Sequence, residues 1–253
     1  MNKLFKFIIS LFTFIFILNI SNSKVFAKSF LEATPEDPYT ISVIGDSISF
    51  EPSYTTILNT NPLINVTTDA IGGTRVAGKE NASNFVNRTK YARYNSDLIL
   101  IFGGTNDYFG LGISSPIGDA TSTDIDTFYA AYNAMIKNLK LNNPNSKIVL
   151  ITPIRRMEDE NLNIYGCTLF NYAYAVHDIA LSNGLMCIDL FNNKECDFIN
   201  NKYRLNGVNI NFSKYAKTKS LTLKNELIPD GLHPSWEGHK IIADELMKYI
   251  QTF

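Results

Sequence analysis

Cysteine is scarce in this sequence, and neither sign of charge is in surplus. Three cysteines, Cys167, Cys187 and Cys196, among 253 residues are too few to staple a chain of this size. None sits in the CxxC or Cys/His spacing of a zinc site. A disulfide scaffold and a zinc-organised domain are therefore excluded. The 23 basic residues face 24 acidic ones, a formal net charge of −1, so no basic excess exists to neutralise a phosphate backbone. Nucleic acid is not an expected partner. No self-similarity recurs at the 20 to 50 residue periods of repeat folds. What is present is 45% hydrophobic and 19% charged residues, which is globular composition and enough chain for one large α/β domain with a proper core.

One long apolar run exists, and it stands at the start. Lys3 and Lys6 precede an almost unbroken apolar stretch from Phe7 to Ile20, and Val25-Phe26-Ala27 places acceptable residues at a signal peptidase site. The pattern predicts a secretory signal peptide over 1–27, cleaved after Ala27, with an uncleaved signal anchor as the alternative. The run is shorter than the ~20 residues a spanning helix needs. Without the leader's three lysines the remainder holds 20 basic and 24 acidic residues, net −4, an acidity suited to a soluble exported protein. No cysteine stands beside the cleavage site, which argues against lipid attachment there.

Residues 28–38 are polar with two prolines and read as a linker into a single domain over 39–253. Strand-like runs follow at Thr40 to Ile44, about Leu63 to Val66, Asp97 to Phe102, Lys147 to Thr152 and Leu185 to Leu190. Helical spacing is clearest over Phe128 to Leu141, Leu169 to Ala180 and Trp236 to Ile250. Strands separated by helices predict a mostly parallel sheet covered on both faces. Asn192 to Leu227 fits this alternation least and reads as loops and short strands added to the core.

In such a sheet, functional residues gather beyond the carboxyl ends of the strands. The first strand ends in Gly45-Asp46-Ser47-Ile48 and the second runs into Ala70-Ile71-Gly72-Gly73-Thr74. The third ends in Gly103-Gly104-Thr105-Asn106-Asp107, and Asp230-Gly231-Leu232-His233-Pro234 precedes the last helix. A serine hydroxyl is a weak nucleophile until a base takes its proton, and the base needs an acceptor on its other nitrogen. Asp230 and His233 supply that pair three residues apart. An oxyanion needs preorganised donors, available from the Ser47 and Gly73 N–H groups and the Asn106 amide. Each segment also reads as an ordinary turn. Of the three histidines, His177 and His239 fall within helices, where packing or surface roles are expected, and His233 alone lies on a loop. Four turns in this order at successive strand ends point to one site.

These four segments resemble the signature blocks of the SGNH hydrolase superfamily, also called GDSL esterases and lipases. The likeness spans nearly the whole mature chain. The closing Asp230-Gly-Leu-His-Pro-Ser-Trp-Glu-Gly-His239 is its longest part, and Ile48 stands where the family's short name has leucine. The resemblance implies a flavodoxin-like three-layer α/β/α sandwich with about five parallel strands. It implies Ser47 as nucleophile, His233 as base and then acid, Asp230 as the group orienting it, and an oxyanion hole of Ser47, Gly73 and Asn106. Gly72 is the alternative glycine. No metal or organic cofactor is expected.

The expected substrate is a small acyl ester, acetyl foremost, on a carbohydrate such as an acetylated glycan. Arg75, Tyr108, Phe109, Arg155, Arg156 and Trp236 follow the strand ends or His233 and are candidates for substrate contact. The alternatives are a lipase or lysophospholipase, an acetyltransferase of the same family, and a carbohydrate-binding module that has lost catalysis. A Cys187–Cys196 bridge is conceivable after export.

Overall fold

A computed structural model of the chain describes residues 27–110, 112–199, 203–205, 208–210 and 227–253. The leader lies outside the described residues up to position 26, as does most of the stretch from 200 to 226. Five strands, β1 (Tyr39–Gly45), β2 (Ile64–Ala70), β3 (Leu98–Phe102), β4 (Lys147–Ile151) and β5 (Met186–Ile188), form one parallel sheet in the order β2-β1-β3-β4-β5. Helices α1 (Tyr54–Leu58), α2 (Phe85–Arg88), α3 (Thr105–Phe109), α4 (Phe128–Asn142), α5 (Leu169–Ser182) and α6 (Trp236–Ile250) connect and cover it. This is the flavodoxin-like sandwich, and the strand order reverses between β1 and β3, where a crevice opens at the carboxyl edge.

The central strands are buried on both faces, which is why they read as unbroken apolar runs. Within β3 the two-residue period sends Leu98, Leu100 and Phe102 to one core and Ile99 and Ile101 to the other. The first core is closed by α1 and α6 through Tyr54, Leu58, Ile242, Leu246 and Ile250. The second is closed by α2, α4 and α5 through Phe85, Phe128, Tyr132, Ile136, Tyr172 and Val176. Helix α6 begins where its N-cap predicts: the Ser235 hydroxyl accepts a hydrogen bond from the Gly238 N–H at 3.3 Å.

Three differences from the sequence reading have physical reasons. β2 continues to Ala70, past the expected end at Val66, because it is the edge strand and its last residues are only half-buried. α1, α2 and α3 have five, four and five residues, too short for a helical period to show. The segment 28–38 is no free linker. Phe30 is buried in an edge-to-face contact with Tyr39 at 5.8 Å, and the Phe30 N–H and Ser29 hydroxyl both donate to the carbonyl of Phe253, at 3.2 and 2.8 Å.

Short strands were expected between Asn192 and Leu227, and an antiparallel pair, β6 (Tyr203–Leu205) and β7 (Val208–Ile210), is found there. All three thiols are free, so the conceivable Cys187–Cys196 bridge is not formed. Burial pushes the Cys187 and Cys196 thiols up to about 12, which makes them unreactive. No helix among the described residues is long and apolar enough to cross a membrane.

Candidate active site

The four segments picked out at the strand ends meet at the β1/β3 crevice. Gly45 ends β1 against Ser49, whose Oγ would lie 2.2 Å from any Cβ at position 45. Only glycine lets the chain turn there. Asp46 then folds inward, 2% exposed, and its Oδ1 accepts the Ile48 N–H at 3.0 Å. That bond shapes the turn presenting Ser47 at the surface. Ile48 is buried beneath it.

His233 reaches the serine from the opposite side. Its Nε2 lies 2.9 Å from the Ser47 Oγ and its Nδ1 lies 2.7 Å from the Asp230 Oδ2. The other Asp230 oxygen accepts the N–H groups of Leu232 and His233 at 2.8 and 2.7 Å. Burial pushes the Asp230 carboxyl up, but these hydrogen bonds, that of the imidazole and its charge together carry it below the usual carboxylate range. Asp230 is therefore ionised at neutral pH and can only accept. In a neutral ring this places the proton on Nδ1 and leaves the Nε2 lone pair facing the serine. The three groups have the geometry of a nucleophile, a base and an orienting carboxylate.

Asn106 stands in the first turn of α3, behind Gly104, whose φ of 120° admits the bend out of β3. Its Nδ2 donates to the Thr74 carbonyl at 3.0 Å and to the Asp46 Oδ2 at 3.2 Å. Of the two candidate glycines, Gly73 takes the left-handed conformation at φ 72°, whereas a Cβ on Gly72 would lie 3.7 Å from that of Ser47. Both lie on the loop beside the nucleophile.

The candidate substrate contacts divide. Phe109 and Trp236 are 46% and 45% exposed and available. Tyr108 is buried, its hydroxyl 2.6 and 2.8 Å from the carbonyls of Glu158 and Asn161, which share its one proton. Arg155 is turned to Asp159, Glu160 and Asp197. The Arg75 guanidinium donates to the Ser115 hydroxyl at 3.2 Å. These three are committed to the protein, because the sequence could place them after a strand but could not say which way they turn. Arg156 stacks over the Tyr108 ring and donates to the Phe109 carbonyl, bracing the site from below. His239, expected to take a surface or packing role in its helix, is buried beside Tyr54, with its Nδ1 unpartnered.

Buried charges missed by the sequence reading hold the loops. The Asp107 carboxylate accepts the Val76 and Ala77 N–H groups at 2.8 and 3.0 Å and the Ser115 hydroxyl at 2.9 Å, pinning the glycine loop to α3. Burial pushes both Asp107 and Asp46 up to about 6. The acidic residues were visible in the motifs, but their inward direction was not. Among the described residues, no cluster of three or more His, Cys, Asp or Glu is arranged to hold a metal.

Residues 43–241 match the model of the GDSL-like Lipase/Acylhydrolase family. The chain belongs to that family. Its fold and its esterase-type chemistry follow from this membership. No curated protein matches this acylhydrolase. Several solved structures share its fold. A possible lipase from Chitinophaga pinensis is 25% identical with a TM-score of 0.66, covering 84% of this chain and 98% of its own. The acetyl xylan esterase AlAXEase is 21% identical with a TM-score of 0.57, covering 83% and 98%. A catalytic mutant of Axe2, an acetylxylan esterase from Geobacillus stearothermophilus, is 18% identical with a TM-score of 0.52, covering 84% and 94%.

Proposed function

We propose that this acylhydrolase is an exported serine esterase that removes small acyl groups, acetyl foremost, from carbohydrate. The carrying observation is the Asp230–His233–Ser47 relay, with contacts of 2.7 and 2.9 Å. His233 Nε2 takes the Ser47 proton as Oγ attacks the ester carbonyl. The oxyanion is met by the Ser47 and Gly73 N–H groups and by Asn106 Nδ2. In the resting site both Asn106 hydrogens are engaged, so the oxyanion takes or shares the longer one, now on Asp46. His233 then protonates the departing alkoxide, and water, activated by the same imidazole, releases the acid from Ser47.

Two features support the sugar reading. Exposed Phe109 and Trp236 flank the catalytic segments and offer faces on which sugar rings stack. Two of the solved structures sharing the fold are described as acetylxylan esterases. Export rests on the leader at residues 1–27. The Lys28 nitrogen lies 3.2 Å from the Asp97 Oδ1, so cleavage after Ala27 would place the new α-ammonium against a carboxylate. Intact mass of the secreted product tests this, and a retained leader overturns it.

Turnover of p-nitrophenyl acetate, butyrate and a long-chain ester, alongside acetate release from acetylated xylan, tests the substrate. Acetate should be cleaved fastest, and Ser47→Ala should abolish turnover and labelling by a fluorophosphonate. Rates that rise with acyl length favour a lipase, and acetyl appearing on added sugar favours a transferase. A wild type that neither turns over nor labels favours a binding module.

A further inference from the structure

One buried cation touches both loops of the site without touching the triad. Arg88, the last residue of α2, has a side chain only 9% exposed and stacks over the Phe85 ring at 4.2 Å. All five of its N–H donors are used. Nη2 donates to the Gly45 carbonyl at 2.6 Å and the Asp69 carbonyl at 3.1 Å. Nη1 donates to the Thr74 hydroxyl at 3.2 Å and the Ser83 carbonyl at 2.7 Å, and Nε to the Asp69 Oδ1 at 3.0 Å.

These partners are not scattered. Gly45 is the end of β1, two residues before Ser47. Asp69 lies near the end of β2, and Thr74 follows Gly73 and holds Asn106 through its carbonyl. One rigid plane thus spans the nucleophile turn and the glycine loop, and through Thr74 it reaches the third donor. We infer that Arg88 is a positioning residue that fixes the spacing of the oxyanion donors relative to Ser47. This rests on the esterase reading above. A lysine cannot replace it, because an ammonium has three donors on one nitrogen and no plane. The outer edge of the brace is itself held, since the Tyr94 hydroxyl donates to the Asp69 Oδ2 at 2.6 Å.

The functional role separates from a merely structural one because misplaced oxyanion donors weaken the transition state more than the ground state. In Arg88→Lys, kcat for p-nitrophenyl acetate should fall about 30- to 100-fold with KM within about threefold, near the loss of one oxyanion donor. Inhibition by a boronic acid, which forms a tetrahedral anion on the serine, should weaken in step. Methylguanidinium should restore part of the kcat of Arg88→Ala. Thr74→Val, which keeps the shape but deletes both an acceptor of Arg88 and the hydroxyl's own hydrogen bond to the Ile71 carbonyl at 2.7 Å, should lower kcat about three- to tenfold, so the inference stays testable if the arginine variants fold poorly.

Arg88→Lys with wild-type kcat and boronate affinity overturns the inference, as does a loss no larger than the unfolded fraction explains. If the wild type is inactive and unlabelled, the esterase reading falls and takes this inference with it. If the wild type is active and Thr74→Val matches it in kcat and boronate affinity, the inference alone fails.

Discussion

Asn106 donates through the same nitrogen to Thr74 and Asp46, so its removal deletes the proposed oxyanion donor and leaves a buried carboxylate oxygen of Asp46 without its partner. Asn106→Ala should lower kcat by about 10²- to 10³-fold with little change in KM; steady-state kinetics on the acetate ester check this. Gly231, between Asp230 and His233, has φ 80°, and a Cβ there would fall 2.5 Å from the Met157 Sδ. Gly231→Ala combines left-handed strain of about 1 to 2 kcal/mol with that clash. It should cost both stability and turnover. Trimming the neighbour in Gly231→Ala/Met157→Ala should recover only the part due to contact, because the strain remains. That Ser47, Asp230 and His233 would come together was legible by type and order, since few other arrangements put serine, aspartate and histidine at these turns. The roles of Arg88 and Asp107 were not, because a charge in a loop reads as solvated until its neighbours are known.

Helix α6 carries a titration that the sequence could not show. His239 is 7% exposed, and burial first, then the nearby His233, holds its imidazole down to about 4. A group depressed in the folded state contributes stability above its unfolded value near 6.5, and loses it as pH falls through about 4. His239→Leu removes that loss, so the variant's melting temperature relative to wild type should be higher at pH 4.5 than at pH 7.5. Asp46 and Asp107 run oppositely: raised to about 6, they favour the fold below about 4 and lose this contribution as pH rises through about 6. Taking the difference against wild type cancels them. At α3, Asp107→Asn leaves one oxygen for three donors and brings an N–H group against Val76 or Ala77. A loss of about 1 to 3 kcal/mol in denaturant unfolding is expected.

Across the whole molecule, the segment before β1 and the one after α6 brace each other. Phe30 and Ser29 both bond to Phe253, and Phe30 packs on Tyr39 at the start of β1. Phe30→Ala should cost about 3 kcal/mol, a fall of roughly 6 to 12 °C in melting temperature for a domain of this size, with kcat unchanged because the site lies at the other end of the strands. Calorimetry beside ester turnover checks both halves. The predicted domain boundary at residue 39 missed this contact because a polar stretch with two prolines holds only one large buried side chain.

The alternation of strands and helices, the parallel sheet and the four turn segments that meet at the crevice were already legible in the sequence. Those features are written in local patterns: apolar runs where strands are buried on both faces, turn residues where they end, and chemically scarce groups at the turns. Which of the loop side chains face inward was settled only when the chain folded. Arg75, Tyr108 and Arg155 turned to protein partners, Phe109 and Trp236 stayed open, and Arg88 and Asp107 became buried supports. A side chain's direction depends on which carbonyls and carboxylates converge on it from distant segments, and that convergence exists only once β1, β2 and β3 lie side by side.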